Sequence, residues 1–393
     1  MKKLLALITV FVILGIVAST VLAVPTELPA AYYVHSDNKI LKSLFEVKHE
    51  FTGVFSVELT PTQLGLLKAM GIETEPVKIY KIDGRPVCGD GKCSGGETLE
   101  NCPNDCAPVI CNPHDEFPWG IMRVNGGLGG SSAIVAVLDT GIDTDHPDLL
   151  HSYSDCITKV THYKQDSRNC EDGEGHGTHV AGIIAANGKI KGVVPEAKLM
   201  IVKVCDRRGW CYGDDIAAGI RYATDKGANI ISMSFGSDSM DSQIIAAIDY
   251  AVDKGVLPIA AAGNDGHLDG YGSIDYPAAY VKVVAVGAID SDDNYAYFTS
   301  QGINDVTTPY ENNERDVEFG APGVNVESTW NDGCYKYLQG TSMATPHVSG
   351  LAAKLWQGSA STTRTYLQNL AKNNDILPTD DDIYTGFGLP VAT

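Results

Sequence analysis

Positive charge is in short supply: 29 Lys and Arg face 49 Asp and Glu, a formal net charge of -20 over 393 residues. Nucleic acid and anionic membrane surfaces both reward basic patches, so neither is an expected partner, and the acidic surface reads first as solubility. Long apolar runs are equally scarce. The one candidate follows Lys2 and Lys3, extends from Leu4 to Leu22, and offers Val21-Leu22-Ala23 as a small-residue cleavage site ahead of Pro25. Residues 1–23 therefore read as a secretory signal peptide. At about 19 residues the run nears the length that spans a bilayer, so an uncleaved N-terminal anchor is the alternative, and the sole route to a membrane. Internal repeats and low-complexity tracts are absent, and 44% hydrophobic with 20% charged residues makes disorder the wrong default. The length allows one large enzyme domain plus smaller attachments.

Cysteine, by contrast, is present in an even number, ten, which in an exported chain implies disulfides. Cys88, Cys93, Cys102 and Cys106 form a tight group. Cys156 with Cys170 and Cys205 with Cys211 are close enough to be local staples, leaving Cys111 and Cys334 for each other; sequence alone does not fix this pairing.

Residues 24–82 alternate strand and helix signals: Ala31 to Val34, a helix over Ile40 to Phe45, Gly53 to Leu59, a helix over Thr62 to Met70, and a last strand over Val77 to Ile82. A β-α-β-β-α-β order of this size predicts a small α+β domain, and it holds no plausible catalytic set. Residues 83–107 are dominated by Gly, Asp, Asn, Pro and Cys, too poor in apolar side chains for a core without covalent staples, and so form a disulfide module or linker. Zinc on its cysteines is disfavoured by the oxidising compartment; Asp90, Glu97 and Asp105 could hold calcium, although Asp-Gly pairs are first of all turn formers.

The rest, residues 108–393, is a single catalytic-domain candidate. Runs at Ala133 to Leu138, Leu199 to Val204, Ile230 to Met233, Leu257 to Ala262 and Val281 to Val286 read as buried parallel strands. Helices are expected over His176 to Ala186, Asp214 to Lys226 and Asp241 to Lys254, stopped by Gly188, Gly227 and Gly255, with a further one over Val348 to Trp356. The fold class is α/β, a doubly wound, mostly parallel sheet whose sites lie at the carboxyl ends of strands, where Asp139 stands.

Three motifs carry chemistry: Val137-Leu138-Asp139-Thr140-Gly141, Gly175-His176-Gly177-Thr178-His179 and Gly340-Thr341-Ser342-Met343-Ala344-Thr345-Pro346-His347. A serine hydroxyl needs a neutral imidazole to take its proton, and the imidazolium that forms needs a buried anion; Ser342, His176 and Asp139 supply the three parts. Each motif alone has a bland reading as a turn or helix cap. Together, in the order Asp, His, Ser, the motifs resemble the subtilisin-like serine proteases, a match over roughly residues 112 to 393. What precedes them, residues 24–82, resembles the inhibitory, chaperone-like propeptide of many such enzymes.

The resemblance implies a secreted monomeric endopeptidase, made as a zymogen, acting on protein or peptide substrates and inhibited by its own propeptide. It implies no cofactor for the chemistry; structural Ca2+ is left open and no metal ligand set is named. The segment Ala185 to Val194 is shorter than the family loop that carries a tight calcium site, so that site is expected to be absent. Asn264, in Ala260-Ala261-Ala262-Gly263-Asn264, matches the family's oxyanion-hole asparagine. Ser234, Phe235 and Gly236 match its substrate edge strand, and Ala262 with Gly263 match the floor of the pocket for the residue before the scissile bond. Such a lining favours apolar or aromatic residues, while Asp265 near the rim could admit basic ones. His179 is expected to be structural, Asp143, Asp145 and Asp148 to be turn formers or part of a metal-side loop, and His347 to stay out of the chemistry. A narrow processing protease and a catalytically silent scaffold are the alternatives.

Overall fold

A computed structural model describes residues 30–82, 111–162, 169–266, 272–304, 313–377 and 382–393. The expected signal peptide and the Cys-rich module, with Cys88, Cys93, Cys102, Cys106, Asp90, Glu97 and Asp105, lie outside the described residues. The chain divides into two compact units between Val77 and Lys78.

The first unit contains β1 (Ala30–His35), α1 (Lys39–Lys42), β2 (Glu50–Phe51), β3 (Val54–Leu59), α2 (Pro61–Ala69) and β4 (Thr74–Pro76). Its four strands form an antiparallel sheet in the order β2-β3-β1-β4, over a core of Val34, Leu41, Phe55, Val57, Leu59 and Leu67. A capping box starts α2: the Thr60 hydroxyl accepts from Gln63 N, and the Gln63 side chain accepts from Thr60 N at 2.8 Å. One expectation needs correcting. The last strand does not run from Val77 to Ile82 within this sheet; Thr74–Pro76 closes it, and β5 (Ile79–Ile82) belongs to the second unit.

The second unit continues with α3 (Trp119–Arg123), β6 (Ile134–Asp139), β7 (Tyr153–Thr158), α4 (His176–Ala185), β8 (Lys198–Lys203), β9 (Trp210–Tyr212), α5 (Gly213–Asp225), β10 (Ile230–Met233), β11 (Phe235–Gly236), α6 (Ser242–Asp253), β12 (Leu257–Ala261), β13 (Val284–Ile289), β14 (Phe319–Pro322), the hairpin β15 (Val326–Trp330) and β16 (Cys334–Leu338), α7 (Thr341–Lys354) and α8 (Ala360–Lys372). Seven strands form one sheet in the order β14-β13-β12-β10-β6-β8-β7, with every pairing parallel. Every residue of β10, β12 and β13 is buried, as β-branched and alanine runs covered on both faces should be. The covering helices pack in pairs, α4 with α7 and α5 with α6.

Strand order reverses between β6 and β10, and that crevice opens at their carboxyl ends, Asp139 on one strand and Ser234 just past the other. The second helix to reach it departs from expectation. α7 begins at Thr341, not Val348, so Ser342 lies inside its first turn despite Pro346. Proline has no N–H for the carbonyl four residues back, which is that of Ser342, and the Ser234 hydroxyl donates to this carbonyl at 2.9 Å instead. Among the described residues the cysteines pair as expected: Cys111 with Cys334, Cys156 with Cys170, and Cys205 with Cys211.

The other site helix, α4, is started by Asp172. One carboxylate oxygen accepts from Glu174 N at 3.0 Å and Gly175 N at 2.8 Å, the other from Thr178 N at 2.9 Å and the Thr178 hydroxyl at 2.7 Å. Because this carboxylate is buried and satisfies N–H groups that have no partner within the helix, Asp172→Ala is expected to cost about 1–3 kcal/mol, measured by urea unfolding of the Ser342→Ala protein with and without it.

Candidate active site

Each candidate residue is held by a local feature of the chain. Asp139 is the last residue of β6, buried, with one oxygen accepting from Thr140 N at 2.7 Å. His176 opens α4 immediately after Gly175, whose φ of 119° suits glycine and whose missing side chain leaves room for the Trp330 ring. Its Nδ1 is 2.8 Å from the same Asp139 oxygen, so the imidazole carries its proton on that nitrogen and donates it to the carboxylate. Nε2, on the far side of the ring, is buried and makes no hydrogen bond.

Ser342 does not fill that vacancy in this arrangement: its hydroxyl donates to the Ser234 carbonyl at 3.0 Å. Asn264 meets the first residue of the helix that carries Ser342. Its side-chain oxygen accepts from Thr341 N at 2.9 Å and from the Thr341 hydroxyl at 3.2 Å, which orients the amide with its NH2 end directed away from Thr341. The Thr341 hydroxyl also accepts from Gly263 N at 3.2 Å. Thus Asp139 and His176 are bonded to each other, Ser342 to Ser234, and Asn264 and Gly263 to the residue before Ser342.

Burial alone would push the His176 imidazole down, but the charge and hydrogen bond of Asp139, reinforced by Glu174 and Asp172, raise it to about 9. Glu174 was not singled out by sequence. Burial first, then the charges of Asp172 and Asp139, push its carboxyl up to about 7, against the opposing pull of His176, whose backbone N donates to it at 2.7 Å. His179 sits deeper in α4, where burial pushes its imidazole down to about 3 and Nε2 faces the carbonyls of Val326 and Lys336 at 3.1 and 3.0 Å. It ties the β15–β16 hairpin to the helix. His347, lowered to about 4 by burial, donates from Nδ1 to Met343 O at 2.8 Å. Asp143 accepts from Asp145 N and Gly333 N in a turn, while Asp148 accepts from Lys189 N, Ile190 N and the Tyr335 hydroxyl and so pins the short segment after α4.

The edge segment Ser234-Phe235-Gly236 already carries a strand. β5 lies between β9 and β11 as the middle member of a three-stranded antiparallel sheet, with Lys81 opposite Gly236 and Ile82 opposite Phe235 on one side, and Ile79, Tyr80 and Lys81 opposite Tyr212, Cys211 and Trp210 on the other. Ile82 N donates to Gly209 O at 3.1 Å, and Tyr80 is buried against Phe235, its hydroxyl donating to Ser239 O at 3.1 Å. The sequence pattern at 77 to 82 is that of any short strand, which is why its place here could not be read from it. Asp275 was also missed. It lies beside Gly236 and Gly263, and one oxygen from each of Asp238, Asp265 and Asp275 falls within 4.8 Å of the others.

Comparison with known proteins follows the same residues. A family model described as "Subtilase family" matches residues 130–388. A subtilisin from Bacillus sp. (strain TA39) is 43% identical over 302 residues, covering 69% of this chain and 71% of the relative. Subtilisin Savinase from Lederbergia lenta is 41% identical over 265 residues, 65% of this chain and 90% of the relative. Among solved structures, Sphericase superposes with a TM-score of 0.67 at 40% identity, covering 72% of this chain and 100% of its own, and an S41 psychrophilic protease with 0.65 at 42%, covering 71% and 99%.

The negative charge of Glu174 favours the protonated form of His176, so removing it lowers the imidazole's affinity for its proton. In the Ser342→Ala protein, the His176 ring resonances are expected to titrate near pH 9, and Glu174→Gln to move that midpoint downward. A midpoint unmoved by the substitution would rule out the coupling.

Proposed function

The chain belongs to the subtilase family and is a subtilisin-like serine endopeptidase; from that premise we propose that Asp139, His176 and Ser342 form its catalytic triad and Asn264 its oxyanion donor. For reaction, the Ser342 hydroxyl turns from the Ser234 carbonyl toward Nε2 of His176, the buried nitrogen with no partner. His176 then takes the hydroxyl proton as Oγ attacks the substrate carbonyl. Asp139 holds Nδ1–H and stabilises the imidazolium. The tetrahedral oxyanion accepts from the Asn264 side-chain NH2 and the Ser342 backbone N–H, close to the N-terminus of α7 whose dipole favours negative charge. His176 passes its proton to the leaving amine, and a water molecule repeats the sequence on the acyl-enzyme. No cofactor enters these steps. Because the base must be neutral, the raised His176 gives a reaction favoured on the alkaline side.

We assign residues 1–23 as a secretory signal, 24–82 as a propeptide, 83–107 as a Cys-rich module and 108–393 as the catalytic domain of a secreted, self-processing zymogen. The observation that carries the zymogen reading is β5. Substrates of a protease that reads backbone are expected to add a strand to an exposed sheet edge. Here the chain's own segment makes those ladder bonds, and carrying its register one residue further brings a peptide level with Ser234, the residue bonded to Ser342. A segment so seated excludes other substrates until it is cut and released. Ser234, Phe235 and Gly236 are then the substrate edge, and Ala262 and Gly263 part of the adjoining pocket.

Intact-mass spectrometry of the secreted protein beside Ser342→Ala tests this. Wild type should lose its N-terminal region while the variant keeps everything beyond the signal peptide. Identical cutting of both would assign maturation to another protease, and failure of both to be cut or to react with a serine-directed phosphonylating probe would favour the silent scaffold. In matured enzyme, Asn264→Ala should lower kcat by about 10²–10³-fold, a range established for such a donor on subtilisin itself.

A further inference from the structure

The strand β5 fixes where substrate residues sit, and so where the side chain just before the scissile bond must go. A peptide in its register has residues opposite Gly236 and Phe235, and the next opposite Ser234. Beside that position the walls are Gly236 and Gly263, neither with a side chain. A carboxylate stands against both: a Cβ added to Gly236 would lie 2.5 Å from an Asp275 oxygen, and one added to Gly263 would lie 2.9 Å from the same oxygen and 2.7 Å from the Ser300 hydroxyl oxygen. Asp275 is buried, and its backbone N donates to Ala262 O at 2.9 Å, which fixes it against the Ala262-Gly263 segment. The next residue, Tyr276, exchanges backbone hydrogen bonds of 2.9 and 3.0 Å with Ser237, so the loop bearing Asp275 is laced to both walls. Half-exposed Asp265 and exposed Asp238 bring their carboxylates to within 4.8 Å of it at the mouth.

We propose, resting on the protease reading above, that this pocket selects lysine or arginine before the scissile bond, with Asp275 as the specificity-determining residue at its inner end and Asp265 and Asp238 adding negative charge at its mouth. A slot between two glycines admits a long, unbranched side chain. Its cationic end would meet a carboxylate in a desolvated setting, where charge pairing is strong. An apolar lining alone, as the neighbouring Ala262 and Gly263 suggest, would have favoured aromatic residues.

The test uses matured enzyme and fluorogenic peptides Tyr-Lys-Ile-X, with X as Arg, Lys, Phe, Leu or Glu, in buffers with calcium and with EDTA. For X as Arg or Lys, kcat/KM should exceed that for Phe or Leu by about tenfold or more, and Asp275→Asn should bring that ratio down to about one. Asp265→Asn and Asp238→Asn should reduce it by smaller factors. Preference of the wild type for Phe or Leu, or an equal fall on every peptide in Asp275→Asn, overturns the proposal. So does a preference for basic residues that appears only in EDTA, which would make the three carboxylates a cation site. If no peptide is cut and the phosphonylating probe does not react, it is the protease reading that has failed.

Discussion

One helix, α7, is buried along almost its whole length, and the site follows from what that burial demands. Residues 341–353 are all buried, yet five of them, Thr341, Ser342, Thr345, His347 and Ser349, carry polar side chains. A buried polar group left without a partner costs about 1–3 kcal/mol, and each of these side chains makes at least one hydrogen bond, although the His347 Nε2 has none. Thr345 and His347 turn back to the carbonyls of Thr341 and Met343 within the helix. The others reach out: Ser349 to the Ser232 hydroxyl, Ser342 to the Ser234 carbonyl, Thr341 to the Asn264 side chain. Those three partners lie on or just beyond β10 and β12. Satisfying the helix therefore also positions Ser342, Asn264 and Ser234, the proposed nucleophile, oxyanion donor and substrate edge, relative to one another.

Charge does for His176 what burial does for Ser342. A buried imidazole is disfavoured in its charged form, and His179 and His347 go that way, staying neutral and structural. His176 goes the other way because three carboxylates surround it, Asp139, Glu174 and Asp172. Two of them have a second task, Asp172 starting the helix and Glu174 accepting from the first backbone N of that helix. The helix start and the poise of the imidazole are thus one arrangement, and a change made to adjust either one disturbs both.

Much of this was legible in the sequence because the family motifs are short and local. Strand runs ending at Asp139 and just before Ser234, the glycine ahead of His176, and the order of the three motifs were enough for a mostly parallel, doubly wound sheet and for the candidate residues, though not for the strand order. What could not be read was non-local. Pro346 reads as a helix breaker, and only the Ser234 hydroxyl, 108 positions from Ser342, makes the earlier helix start tenable. Asp275 reads as one more turn-forming aspartate, since its carboxylate acquires meaning only from Gly236 and Gly263 on other elements. Ile79–Ile82 has the pattern of a strand, but pattern does not say which sheet will receive it.

That last ambiguity bears on how the enzyme is restrained. In the proposed zymogen β5 makes the contacts a substrate would make, and nothing about backbone pairing distinguishes the two. The difference is covalent. While attached, the segment faces the cleft as an intramolecular ligand, so modest affinity suffices to hold it. Once cut, it competes only at its bulk concentration, and the same ladder of hydrogen bonds no longer wins against substrate. The tight features of the segment, buried Tyr80 on Phe235 and the Lys81 ammonium 4.2 Å over the Trp210 ring, would slow its departure after cutting without being needed to hold it before. Restraint before cleavage thus depends on connectivity and restraint after it on these side chains, so the two can be altered separately in one short strand.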